Sequence, residues 1–95
     1  MKKYELVYIL KPTLEDEKKE AVFNKMKEII ETSGQIDKVD TWGTRKLAYP
    51  IEKHTQGFYN LVRFTAEKEA VNEMDRNLKI MDSVIRHLVV RIDEK

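Results

Sequence analysis

The sequence predicts an α+β sandwich, with two helices covering one face of a four-stranded antiparallel sheet. Three observations point there. Apolar residues recur at helical spacing around residues 22–30 and again around 71–78. Runs rich in β-branched and aromatic residues flank them in the order strand, helix, strand, then strand, helix, strand. Hydrophobic residues make up 41% of 95 residues, enough for one modest core and too few for two.

The first strand is expected over Tyr4–Leu10, ending before Pro12. Both of its sides carry apolar residues, which marks a central strand. Thr13 offers an N-cap oxygen with Asp16 three residues on, the spacing of a capping box. Val22, Met26, Ile29 and Ile30 form the buried stripe of the first helix, which Gly34 stops by taking positive φ. A second, more polar strand runs from Gln35 to Thr44 and suits a sheet edge. A loop holding Pro50, Lys53, His54, Gln56 and the turn residue Gly57 leads to a third strand, Phe58–Phe64. Thr65 is the expected cap of the second helix, whose stripe is Val71, Met74 and Leu78. Met81-Asp82-Ser83 turns the chain into a last strand, Val84–Ile92.

Two strand–helix–strand units in succession make the ferredoxin-like, split βαβ sandwich, and right-handed crossovers favour that topology. A single domain over residues 1–95 is expected, with no linker. One sheet face then lacks helices. Val7, Ile9, Leu61 and Val89 are expected on that open face, and Leu6, Leu10, Val62, Phe64 and Val90 under the helices. An open apolar face of this size calls for a partner.

Composition removes several classes of function. There is no cysteine, hence no disulfide, thiolate metal site or cysteine nucleophile. No stretch approaches the roughly 18 to 20 apolar residues of a membrane span. The start, Met1-Lys2-Lys3-Tyr4-Glu5, enters strand at once and does not read as a signal peptide. Net charge is only +1 although 37% of residues are charged, so any anionic partner must be met locally. The charge is patterned accordingly. Leu14–Glu31 holds six acids and four lysines, whereas Trp42–Arg63 holds Arg45, Lys46, Lys53 and Arg63 against Glu52 alone.

Catalysis finds no support. In phosphatases of this topology the link from first strand to first helix cradles phosphate with glycine amides and an arginine. Here it reads Leu10-Lys11-Pro12-Thr13, and proline removes a donor. His54 and His87 read as solvated side chains, and no His, Asp or Glu group has metal-ligand spacing. The acids Glu15-Asp16-Glu17 suit a helix start. Met26, Met74 and Met81 read as core fillers. The RNA-recognition motif shares the topology, but its third-strand aromatics are replaced by Asn60 and Arg63 in the register Gln56–Arg63.

The segment hardest to read as scaffold is Trp42-Gly43-Thr44-Arg45-Lys46-Leu47-Ala48-Tyr49-Pro50-Ile51, with Lys53, His54 and Gly57-Phe58-Tyr59 following. Arg45 can grip phosphate oxygens bidentately, Lys46 adds a point charge, and Tyr49 offers a flat face. Such groups meet RNA backbones and unstacked bases. A plainer account has Trp42 and Tyr49 packing over a sheet edge while the cations discourage aggregation; the residues alone leave both open.

Trp42, Gly43, Arg45, Leu47, Ala48, Tyr49, Pro50, Ile51, Lys53 and Gly57 together resemble the signature of the bacterial small-subunit ribosomal protein S6 family. The resemblance runs from Lys3-Tyr4-Glu5 to the end of the last apolar strand. It implies a non-catalytic, cofactor-free structural component of the cytoplasmic 30S ribosomal subunit that binds 16S ribosomal RNA together with ribosomal protein S18. Some relatives carry a long acidic tail open to glutamate addition; this sequence ends Asp93-Glu94-Lys95, so no tail modification is expected.

The expected RNA contacts are Arg45, Lys46, Tyr49 and Lys53, with Lys2, Lys3, Arg86 and Arg91 as secondary cations at neighbouring strand ends. The expected protein-partner surface joins Val7, Ile9, Leu61 and Val89 to Trp42, Leu47, Ile51 and Phe58. No membrane or small-molecule partner is expected. The alternative is a ferredoxin-like homo-oligomer whose open faces pair without RNA.

Overall fold

A computed structural model describes residues 1–51 and 54–92, apart from the side chains of 48–51 and 54. The elements are β1 (Lys2–Leu10), α1 (Asp16–Glu31), β2 (Gln35–Ile51), β3 (His54–Ala66), α2 (Lys68–Ile80) and β4 (Val84–Arg91). The strands form one antiparallel sheet in the order β2-β3-β1-β4, with both helices on one face, as the ferredoxin-like reading requires.

The helical stripes meet one side of the sheet. Met26, Ile30 and Met74 are fully buried, and Leu78 nearly so, against Tyr4, Leu6, Tyr8 and Leu10 of β1 and Val62 and Phe64 of β3. Tyr4 stacks on Phe64 with ring centroids 5.5 Å apart. Because the strand period is two, this fixes the odd-numbered positions of β1 on the opposite, helix-free face.

Both helix starts lie two residues later than the capping pattern suggests. Leu14 N–H donates to the Lys11 carbonyl at 3.3 Å, closing a turn around Thr13, and α1 begins after Glu15 with no side-chain cap. Thr65 remains in β3, where its hydroxyl donates to Asp37 Oδ2 at 2.7 Å; Glu67 precedes α2 instead. In each case a tertiary or turn partner wins over the local cap. Asp16 and Glu17 in the first turn of α1 still meet the positive end of its dipole.

Gly34 does not adopt positive φ; Gly43, at 83°, is the positive-φ glycine among the described residues. What Gly34 supplies is space, since a Cβ there would run into the Thr65 carbonyl oxygen where α1 hands over to β2. Gly57 likewise is no turn. It lies within β3 opposite Arg45, and a Cβ would collide with Ile9 Cγ2.

The β2–β3 pair is longer than expected. Arg45 and Lys46 are paired with Gly57 and Gln56, and the register resumes at Ile51 opposite His54. Backbone pairing extends these strands past the helix-covered area, so their side chains need no apolar period there.

Candidate nucleic-acid interface

The open face follows from the register. Three rows cross it from β2 to β4: Lys38, Arg63, Glu5 and Val90; then Asp40, Leu61, Val7 and Leu88; then Gly43, Tyr59, Ile9 and Arg86. The first row is polar at its centre, where Arg63 Nε donates to Glu5 Oε2 at 2.9 Å. The second and third are apolar at their centres, and each has one charged end: Asp40 on β2 in the second and Arg86 on β4 in the third.

This corrects one expectation. Val89 is opposite Leu6 and packs under the helices, whereas Val90 is opposite Glu5 and 44% exposed on the open face. A register shift near Ile85, where Ile9 pairs with Arg86 but Leu10 with Val84, sets the alternation of β4. Residue type gave no signal, because each side of β4 carries a cation: Arg86 lies with Leu88 and Val90, and Arg91 with Val89. Leu88, missed as an interface residue, is 59% exposed.

The apolar centre is partly covered by the chain itself. Ile9 and Leu61 are each only 8% exposed, and Leu47 only 6%; Gly57 leaves room for Ile9 and Leu47 on this face. Val7, Ile9, Arg86, His87 and Leu88 surround a depression of about 230 Å³ towards the β4 edge. Phe58 belongs to the other face, where it is opposite Leu10 and lies beneath Lys19 Nζ, 4.0 Å from the ring centroid.

Trp42 sits in a bulge of β2. Thr41 is paired with Asn60 and Gly43 with Tyr59, leaving Trp42 as the extra residue between them. The positive φ of Gly43 accommodates that irregularity. The indole stacks on Tyr59, with centroids 6.2 Å apart and planes 18° apart. Its Nε1–H donates to Asp40 Oδ2 at 3.1 Å, and Arg45 Cζ lies over it, 5.6 Å from the ring centroid. The sequence grouped Trp42 with the protein-partner residues; spatially it adjoins Arg45. Tyr59 was assigned no role, because its value depends on a bulge that local pattern does not reveal.

Among the described residues, the RNA candidates do not form one cluster. Arg45 and Lys46 are exposed on neighbouring positions of β2, and alternation directs them to opposite faces. Arg86 ends the third open-face row on the far edge of the sheet, three strand spacings or about 14 Å from β2. Lys3 is six residues along β1 from Ile9, about 20 Å away; Lys2 and Arg91 alternate onto the helix-side face, opposite Ala66 and Tyr4. The side chains of Tyr49 and Ile51, and Lys53 altogether, lie outside the described residues.

Acid–base groups are not gathered here. Burial pushes the Tyr8 phenol up to about 12, on the helix side. Among the described residues no group of His, Cys, Asp or Glu has a metal-holding arrangement, and no helix is long and apolar enough to cross a membrane. What the open face offers is stacking area, apolar area and cations.

Comparison with known proteins gives a consistent answer. The family model described as Ribosomal protein S6 matches residues 3–91. The small ribosomal subunit protein bS6 of Clostridioides difficile (strain 630) is 57% identical over 90 residues, covering 95% of this chain and 98% of that protein. The bS6 of Alkaliphilus oremlandii (strain OhILAs) is 51% identical over 94 residues, covering 99% and 100%. The crystal structure of 30S ribosomal protein S6 from Thermotoga maritima superposes with a TM-score of 0.88 at 31% identity, covering 96% of this chain and 87% of that one. An Arabidopsis thaliana protein, 20% identical with a TM-score of 0.57 and covering 100% and 96%, shares the fold alone.

Proposed function

The chain belongs to the ribosomal protein S6 family, non-catalytic structural proteins of the small ribosomal subunit and so of the cytoplasmic ribosome, and from that premise we propose that it binds 16S ribosomal RNA as one half of a pair with ribosomal protein S18. The observation that carries this reading is the helix-free sheet face, where Leu61, Val7, Tyr59 and Ile9 lie at the centre and Lys38, Arg45 and Arg86 are cations on the two edge strands. Leu88, Val90 and Val7 provide the area that a protein partner would cover, and Arg45 provides charge on the opposite edge strand, β2. A chain of net charge +1 has little general attraction for RNA. Pairing with a second protein adds contacts and aligns the few cations, so the pair binds where the single chain does not.

Arg45, Lys46 and Lys53 are the proposed phosphate contacts. The test is filter binding to 16S ribosomal RNA with S18 present and salt varied. Three phosphate contacts give log affinity a slope of roughly −2 to −3 against log salt, at about 0.7 to 0.9 per contact. Arg45→Ala with Lys46→Ala flattens that slope by up to about 2 with the thermal midpoint nearly unchanged. An unaltered slope in the double variant overturns the assignment.

A further inference from the structure

We infer that Trp42, backed by Tyr59 and flanked by Arg45, is a stacking site for one unpaired base of ribosomal RNA. The inference rests on the proposed RNA contact at Arg45 and goes beyond it. It moves the chain's only tryptophan from the protein-partner surface to the RNA surface.

Three features support a base in particular. First, the ring is held in place before any ligand arrives. Tyr59 stacks behind the indole at 6.2 Å and Asp40 accepts its N–H at 3.1 Å, so little side-chain freedom remains to be lost on binding. Trp42 is nevertheless 39% exposed. Second, the N–H is already satisfied by Asp40, leaving the indole a flat, polarisable surface with no unused donor. A flat surface accepts any base, because every base has a π-face. Third, the space over Gly43 is open, with nothing other than its chain neighbours Trp42 and Thr44 able to lie within 4 Å of the point where a Cβ would stand. A planar group can approach the backbone there, beside the indole.

Charge distinguishes RNA from an apolar protein surface. Arg45 lies over the indole at 5.6 Å, and its guanidinium can stack on a base plane while its N–H edge faces a phosphate. Asp40 is the opposing charge, and the indole N–H engages one of its oxygens. The apolar residues that a protein partner would need, Leu88 and Val90, lie on the far edge strand, β4, while Trp42 and Arg45 lie on β2. The two edges are therefore chemically different, with RNA at β2 and protein towards β4.

Oxidative footprinting of the wild-type protein, with Trp42 oxidation located by mass spectrometry, tests this without a substitution. Trp42 is expected to react equally in the free chain and in the complex with S18, and to become protected when 16S ribosomal RNA is added. Protection by S18 alone makes Trp42 a protein contact and overturns the inference, as does continued reactivity in the RNA complex. Affinity gives the second arm. One stacked base is worth about 1–3 kcal/mol, so Trp42→Leu should weaken RNA binding about 5- to 150-fold in the presence of S18. The salt slope should stay as in wild type, since stacking releases no counterions, and Trp42→Phe should retain most of the affinity. Wild-type affinity for Trp42→Leu, with a flattened slope for the Arg45/Lys46 double variant, refutes the base site and leaves the phosphate contact standing. An unaltered slope in the double variant refutes the phosphate contact instead.

Discussion

His87 Nε2 and Asp75 Oδ1 stand 2.7 Å apart, joining β4 to α2. Lys79 Nζ approaches the other Asp75 oxygen at 3.1 Å from one turn further along α2. The hydrogen bond from His87, followed by that from Lys79, holds the Asp75 carboxyl below its ordinary 3.8.

A pH dependence follows. A carboxylate with a depressed folded pKa contributes stability that is present above its unfolded value and lost as pH falls through the folded one. Asp75→Asn should therefore be less stable than wild type at pH 6, and the gap should close on acidification below the ordinary 3.8. Denaturant midpoints of both proteins at pH 6 and pH 2 measure it. An equal gap at the two pH values would mean that Asp75 is not held in its charged form.

Ile30 is fully buried between α1 and the sheet, so Ile30→Ala should cost about 2–5 kcal/mol. A chemical melt compared with wild type decides this, and an unshifted midpoint would contradict the packing of α1.

Gly43 has open space for a Cβ but a φ of 83°, so its requirement is conformational. Gly43→Ala should lose about 1–2 kcal/mol, and Gly43→Asn less, because asparagine tolerates the left-handed region. Thermal melts of the three proteins give the order. Alanine and asparagine variants of equal stability would rule out the backbone as the reason.

Leu88 is 59% exposed on β4, whereas Leu61 is 8% exposed at the sheet centre. Leu88→Asp should abolish pairing with S18 and leave the isolated chain folded; Leu61→Asp should destabilise the fold itself. Light scattering for pairing and circular dichroism for folding separate the two. Undiminished pairing of Leu88→Asp would move the partner off β4.

The order of elements and the core were legible because they rest on local periodicity. Met26, Ile30, Met74 and Leu78 follow a helical stripe that needs no knowledge of what lies opposite. The helix caps were not legible, because Thr13 lies in a turn and Thr65 bonds Asp37, both decided by structure beyond the capping pattern. The faces of β4 were inverted because the shift near Ile85 arises only on pairing with β1. For the site, residue type alone singled out Arg45, Lys46 and Trp42. It could not join Trp42 to Tyr59, since that contact depends on a bulge between distant strands.

The strand order also governs how the chain is made. β1 is synthesised first and lies inside the sheet, yet both strands that flank it, β3 and β4, come later in the sequence. Between the end of β1 and the end of β4 lie about 80 residues, which at roughly 5–20 residues per second take about 4–16 s to synthesise. Through that interval Leu6, Tyr8 and Leu10 have no complete core to enter. A nascent chain that stops before Val84 leaves one edge of β1 without its strand, so the sheet is completed only after β4 has been made.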